Sequence, residues 1–264
     1  MTFIVGDKHM NLPRSIAITC FTILAVSGNA LCAIAAETQP ANKTFGDWCR
    51  EKASLSPEAK HTVEVLLEKA GTTECNAANQ ELSTLTELDL NGNQISDIQP
   101  LQSLTNLSML DLRYNQISDI QPLQSLINLS MLDLQYNQIS DIKPLQFLTK
   151  VNTLFLNNNK ISDIKPLQSL TQLTNLFLDN NKISDIKPLE SLTKLNTLFL
   201  SNNKISDIKP LESLINLDWL LLNNNQISDI QPLESLTKLN SLFLSENPID
   251  PKTCRLKPES RCNW

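Results

Sequence analysis

Residues 192–213 read LTKLNTLFLSNNKISDIKPLES. The same sentence recurs as LTNLSMLDLRYNQISDIQPLQS from Leu104 and as LINLSMLDLQYNQISDIKPLQF from Leu126. Eight copies follow one another from Leu82 at an unbroken period of 22 residues, with the pattern L-x-x-L-x-x-L-x-L-x-x-N-x-I-x-D-I-x-P-L-x-x. A fixed period of this length marks stacked supersecondary units. One unit cannot bury its own apolar face. Neighbours bury it for each other, so stability accumulates by nearest-neighbour contact and both ends of the stack need covers.

Within the copy at Leu192, Leu195, Leu198 and Leu200 are expected to point inward, with Leu198 and Leu200 alternating across a short strand. Asn203 then turns the chain. Its carboxamide suits the unpaired backbone groups of a turn, and Asn tolerates left-handed backbone better than most residues. This accounts for a coil that turns eight times with Gly92 as the one glycine in its repeats. The column Asn93, Asn115, Asn137, Asn159, Asn181, Asn203, Asn225, Asn247 is therefore read as core-facing rather than as a sugar or ice contact. Ile205 and Ile208 fill the return side. Asp207 ahead of Ile208-Lys209-Pro210 reads as an N-cap before a short 3₁₀ turn, with Pro where no donor is needed. Capping is favoured over calcium binding for the whole Asp97-to-Asp229 column.

These motifs, covering about two thirds of the chain, resemble leucine-rich repeat proteins of the 22-residue type found in bacterial internalins and in the regulatory subunit of protein phosphatase 1. The close identity between copies also resembles exported cyanobacterial leucine-rich repeat proteins. The implied fold class is α/β: a solenoid with a parallel concave sheet, a 3₁₀ and loop convex side, and a small helical N-terminal cap. The N-terminal cap departs from that of internalins, and no wall-sorting motif or Ig-like module follows, so host-cell invasion is not carried over.

Ahead of the repeats, the run IAITCFTILAV (16–26) follows Lys8, His9 and Arg14 and leads to Ala33-Ile34-Ala35. A basic start, a short apolar core and an A-x-A site describe a secretory signal peptide cleaved after Ala35, with Met10 as an alternative start. Export removes Cys20 and Cys32 and leaves Cys49, Cys75, Cys254 and Cys262 in an oxidising compartment. Each adjacent pair is local to one end of the stack, so Cys49–Cys75 and Cys254–Cys262 are expected as disulfides and preferred to a zinc site. Ser56-Pro57-Glu58 opens a helix, Val63, Leu66 and Leu67 give it an apolar face, and Gly71 ends it. The chain then divides into a signal peptide (1–35), a helical cap (36–81), repeats (82–247) and a C-terminal cap (248–264).

Strand residues between the inward leucines fall on the concave solvent face. One column reads Asp89, Asp111, Asp133, Phe155, Phe177, Phe199, Leu221, Phe243. Its neighbour reads Glu87, Met109, Met131, Thr153, Asn175, Thr197, Trp219, Ser241. Arg113, Tyr114, Tyr136 and Asp179 flank them. The candidate partner-binding residues are Phe155, Phe177, Phe199, Trp219, Leu221, Phe243, Met109, Met131, Tyr114, Tyr136, Asp111 and Asp133. Aromatics make up 5% of the chain, yet four of the eight Phe stand in one outward column. Contiguous apolar patches with Met and Arg nearby are the usual anchors of interfaces. Cross-strand stacking alone is the plainer reading of that ladder, and three solvated carboxylates the plainer reading of the Asp ladder.

Composition excludes much else. Five Gly in 264 residues write no phosphate-cradling loop, and a net charge of −6 gives no basic stripe for nucleic acid. Two His, of which His61 alone follows the signal segment, assemble no catalytic set. The expectation is a non-enzymatic, exported (secreted or periplasmic) monomer without cofactor, metal or membrane span after signal cleavage. It grips a protein or peptide on the concave sheet. A structural or surface-adhesion role against a periodic polymer (polysaccharide, cell wall or ice) is the alternative.

Overall fold

The computed structural model describes residues 43–250 and the backbone of Cys262–Asn263. The expected signal peptide and the expected Cys254–Cys262 pair lie outside the described residues. Three helices come first: α1 (Phe45–Arg50), α2 (Pro57–Lys69) and α3 (Cys75–Thr84). Eight three-residue strands follow: β1 (Glu87–Asp89), β2 (Met109–Asp111), β3 (Met131–Asp133), β4 (Thr153–Phe155), β5 (Asn175–Phe177), β6 (Thr197–Phe199), β7 (Trp219–Leu221) and β8 (Ser241–Phe243). With β9 (Cys262–Asn263) they form one sheet in sequential order, every pairing parallel. The ninth strand carries no repeat signature and was not anticipated.

The periodic leucines and isoleucines do what their spacing predicts. Leu195, Leu198, Leu200 and Ile205 are fully buried, and their counterparts in the other copies are buried too, except Leu85 of repeat 1, which is partly exposed. Burying a Leu or Ile side chain is worth about 1.5–3 kcal/mol, and each repeat buries several against the next. The result is one continuous core rather than a series of small ones.

The Asn column closes the turns from inside. In repeat 3, Asn137 Oδ1 accepts from the Ile117 N–H of the preceding repeat (2.9 Å). Its Nδ2 donates to Leu112 O (3.0 Å) and Leu134 O (3.2 Å). The same three-way bond recurs at Asn115, Asn159, Asn181, Asn203, Asn225 and Asn247. Each amide thereby satisfies backbone groups that would otherwise be buried unpaired.

One part of that reading needs correction. The left-handed residue of each turn precedes the column Asn: Gly92, Tyr114, Tyr136, Asn158, Asn180, Asn202, Asn224 and Glu246, with φ between 51° and 69°. Gln94 adds a second in repeat 1 (φ 57°). Tolerance of positive φ and the carboxamide bonds are thus separate jobs at adjacent positions. Asn holds both in repeats 4–7 only.

The 3₁₀ turns form where expected, but the Asp sits one residue earlier than an N-cap. Asp207 Oδ1 accepts from Lys209 N–H (2.9 Å), with Ile208 between them in the cap position. The next residue, Pro210, has no N–H, and Leu211 N–H bonds back to Ile208 O (3.0 Å). Every first-turn donor is therefore satisfied or absent.

At the N-terminal end, Ser56 caps α2 by accepting from Ala59 N–H (3.1 Å), and Gly71 follows the helix at φ 66°. Thr44 and Asp47 form a reciprocal capping box on α1. Those bonds, reinforced by the Arg50 guanidinium, lower the Asp47 carboxyl to about 2. Cys49 and Cys75 are disulfide-bonded, joining α1 to the start of α3. α3 runs across residue 82, so a helix presents the first leucine of the repeat pattern, fully buried Leu82. His61 Nε2 donates to Asn93 O (2.7 Å) and the buried Thr62 hydroxyl to Asp97 O (2.6 Å), fastening α2 to repeat 1.

Candidate functional site

Strand register sets the concave face. Glu87, Met109, Met131, Thr153, Asn175, Thr197, Trp219 and Ser241 pair in one line across the sheet. Asp89, Asp111, Asp133, Phe155, Phe177, Phe199, Leu221 and Phe243 pair in the next. Both columns stand as the period predicts, because no insertion shifts one copy against another and a parallel ladder fixes equivalent residues side by side.

The aromatic column is less open than expected. Phe155, Phe177 and Phe199 are half-buried, as are Leu221 and Met131. The rings cover one another: Phe155 stacks on Phe177 (centroids 4.5 Å apart, planes 8° apart), and Phe177 meets Phe199 edge-on (4.9 Å, 87°). Such pairs are worth about 0.5–1.5 kcal/mol beyond burial. The exposed apolar groups sit at the two ends of this ladder. Trp219 is 48% exposed and Phe243 37% on one side, and Met109 is 37% exposed on the other. Tyr114 and Tyr136, at the left-handed positions, project as a stacked pair (4.3 Å, 11°) and are 53% and 44% exposed.

The Asp ladder is not a row of three solvated carboxylates. Asp89 is exposed and accepts from Asn91 N–H (2.8 Å). Asp111 is half-buried and ion-paired to Arg113 (3.1 Å). Asp133 is only 4% exposed. Its two oxygens accept from the Gln135 backbone N–H (3.0 Å) and side-chain amide (3.0 and 3.2 Å). Burial pushes its carboxyl above the usual range, the Gln135 bonds oppose that, and neighbouring Asp111 adds to it.

A polar cluster beside the Phe ladder escaped the sequence reading except for Asp179 itself. Ser201 N–H donates to Asp179 Oδ1 (2.7 Å), and Asn157 Nδ2 donates to Asp179 Oδ2 (3.1 Å). Burial raises the Asp179 carboxyl against the pull of the Ser201 N–H and of the hydroxyl beside it. These three residues are separated by exactly one repeat, so the period holds the signal, but their different side chains hide it.

Among the described residues no group of three or more His, Cys, Asp or Glu is placed to hold a metal ion, and no helix is long and apolar enough to cross a membrane.

The family profile described as Leucine Rich repeats (2 copies) matches residues 83–125, 127–169, 171–213 and 215–253. Comparison with curated proteins finds no match. Among solved structures, an internalin (inlF) from Listeria monocytogenes is similar at 37% identity and TM-score 0.69, over 75% of this chain and 59% of that one. Internalin C2 from the same species is similar at 31% identity and TM-score 0.72, over 80% and 93%. A leucine-rich repeat protein of Leptospira interrogans is similar at 32% identity and TM-score 0.65, over 71% and 50%. The chain thus spans less than two thirds of the inlF and Leptospira structures. With four profile matches laid end to end on the repeats and internalins sharing their stacking, the chain belongs to the leucine-rich repeat family, in its internalin-like form.

Proposed function

We propose that the chain is a non-enzymatic binding module that grips a protein or peptide on its concave face. Leucine-rich repeat folds commonly serve as protein-interaction modules. The observation that carries the reading is the gathering of Phe155, Phe177, Phe199, Leu221, Trp219 and Phe243 on one exposed sheet face, with Met109, Met131, Tyr114 and Tyr136 in the acidic zone beside it. Stacking explains why the Phe rings touch. It does not explain why Trp219 and the Tyr pair are left about half exposed, where water gains nothing from them and a partner gains anchors.

The periodic-polymer reading draws less support. The Asn column turns inward and is engaged with backbone groups. The serines of the 3₁₀ turns donate to carbonyls of the preceding repeat, as Ser191 does to Gln168 O (3.0 Å). An exported location accords with the Cys49–Cys75 disulfide and with the internalin likeness. The leader over 1–35 and the Cys254–Cys262 bridge belong to the same proposal. Capture from culture medium or periplasm, with wild type and a Phe177→Glu/Phe199→Glu variant, tests the binding claim. Loss of the captured partners by a folded variant is expected, and equal recovery contradicts the concave site.

A further inference from the structure

Within the concave face, Asp179 is a carboxylate without an ion pair, as are Glu87, Asp89 and Asp133. Asp179 follows Phe177 by two residues and lies in a line with Asn157 and Ser201 from the flanking repeats. None of the four ion pairs among the described residues includes it. Ser201 is 7% exposed, its hydroxyl lies beside the Asp179 carboxylate, and that hydroxyl has no hydrogen bond of good geometry. Asn157 Oδ1 is likewise buried without a partner. Next to the Phe155–Phe177–Phe199 ladder, the Asp179 carboxylate is therefore flanked by two residues that each keep an unpaired side-chain oxygen, Asn157 and Ser201.

The fold does not require the charge. Two repeats further on, Ser245 N–H donates to Asn223 Oδ1 (3.0 Å), the same bridge made by a neutral amide. There the serine hydroxyl is satisfied as well, donating to Asn223 Oδ1 (2.9 Å). A half-buried carboxylate costs desolvation, and beyond what a carboxamide supplies its structural return here is the Asn157 bond alone. Its chemistry calls for a cation with several N–H donors and an apolar stem able to lie on aromatic rings.

We propose that Asp179, Asn157 and Ser201 form a subsite for a Lys or Arg side chain of the peptide partner, with the stem of that side chain lying over Phe177 and Phe199. The subsite rests on the concave-face reading above and specifies the partner's chemistry. Asp179→Asn is a conservative probe, because Asn223 shows that an amide sustains the bond to the serine N–H of the next repeat.

The test is selection of a random displayed peptide library on the full chain, followed by affinity measurement of the selected peptides. Peptides carrying Lys or Arg beside an apolar residue are expected. Asp179→Asn should weaken them about tenfold, and replacing their basic residue by Gln should cost wild type as much while costing Asp179→Asn little more. Peptides that need Phe177 and Phe199 but bind Asp179→Asn equally overturn the subsite and leave the concave-face reading standing. Peptides indifferent to Phe177→Glu/Phe199→Glu, or no enrichment over that variant, overturn both.

Discussion

The Asn column and the central concave column each take one residue from every repeat, and they behave oppositely. The first is Asn in all eight copies, with each carboxamide turned inward and bonded to four backbone groups in copies 2 through 8. The second changes from Asp89, Asp111 and Asp133 to Phe155, Phe177 and Phe199, then to Leu221 and Phe243. Both lie on the same rigid frame, so geometry does not separate them. What separates them is demand: the turn has unpaired N–H and C=O groups that one side-chain type satisfies, whereas a sheet face accepts whatever its surroundings tolerate. Residues held constant by the backbone report on folding. Those released from it are where a binding surface has room to be written.

That contrast has consequences of graded size. Asn159→Ala removes the partner of Ile139 N–H, Leu134 O and Leu156 O at once. It is expected to cost about 4 kcal/mol of unfolding free energy in denaturant titration, since each buried unpaired group costs about 1–3 kcal/mol. Phe177→Glu in the concave column is expected to cost about 1 kcal/mol, the scale of cross-strand pairs. A loss as large as that of Asn159→Ala would erase the distinction between the two columns. Glu246→Asn moves the exposed left-handed residue of repeat 8 to the type found at Asn158, Asn180, Asn202 and Asn224, and a gain of about 0.5 kcal/mol is expected in the same titration.

The smallest effect is electrostatic. Burial raises the folded-state carboxyl of Asp133 above its unfolded value, so its contribution to stability is full below the unfolded value and is lost as pH rises through the folded one. Asp133→Asn should therefore stabilise the protein slightly at pH 7 and leave it unchanged near pH 3. A destabilisation at pH 7 would show that the carboxylate is held by its Gln135 bonds more strongly than burial opposes it.

Sequence periodicity sufficed for the strand register, the buried leucines, the Asn bonds and the 3₁₀ turns. All of these repeat every 22 residues and are over-determined by eight copies. It failed where neighbouring copies differ. The Asp133 carboxylate is hydrogen-bonded by Gln135, where the copy before it has Arg113, and the Asp179 bridge needs Asn157 and Ser201 flanking one repeat alone. The left-handed position was misassigned because Asn occupies both adjacent sites in half the copies, and Tyr114 and Tyr136 show which of them takes positive φ. β9 and the short α1 lie outside the repeat, where nothing multiplies the signal.

The central claim is that the concave sheet, and not apolar exposure in general, holds the partner. Ile127 and Ile215 are 52% and 53% exposed, outside every strand. They supply a matched control for the Phe column. Binding of partners captured from culture medium or periplasm should be measured for wild type, Phe177→Glu/Phe199→Glu and Ile127→Glu/Ile215→Glu, each verified as folded by thermal melting. The account predicts loss with the Phe pair and retention with the Ile pair. Retention with the Phe pair and loss with the Ile pair would contradict it.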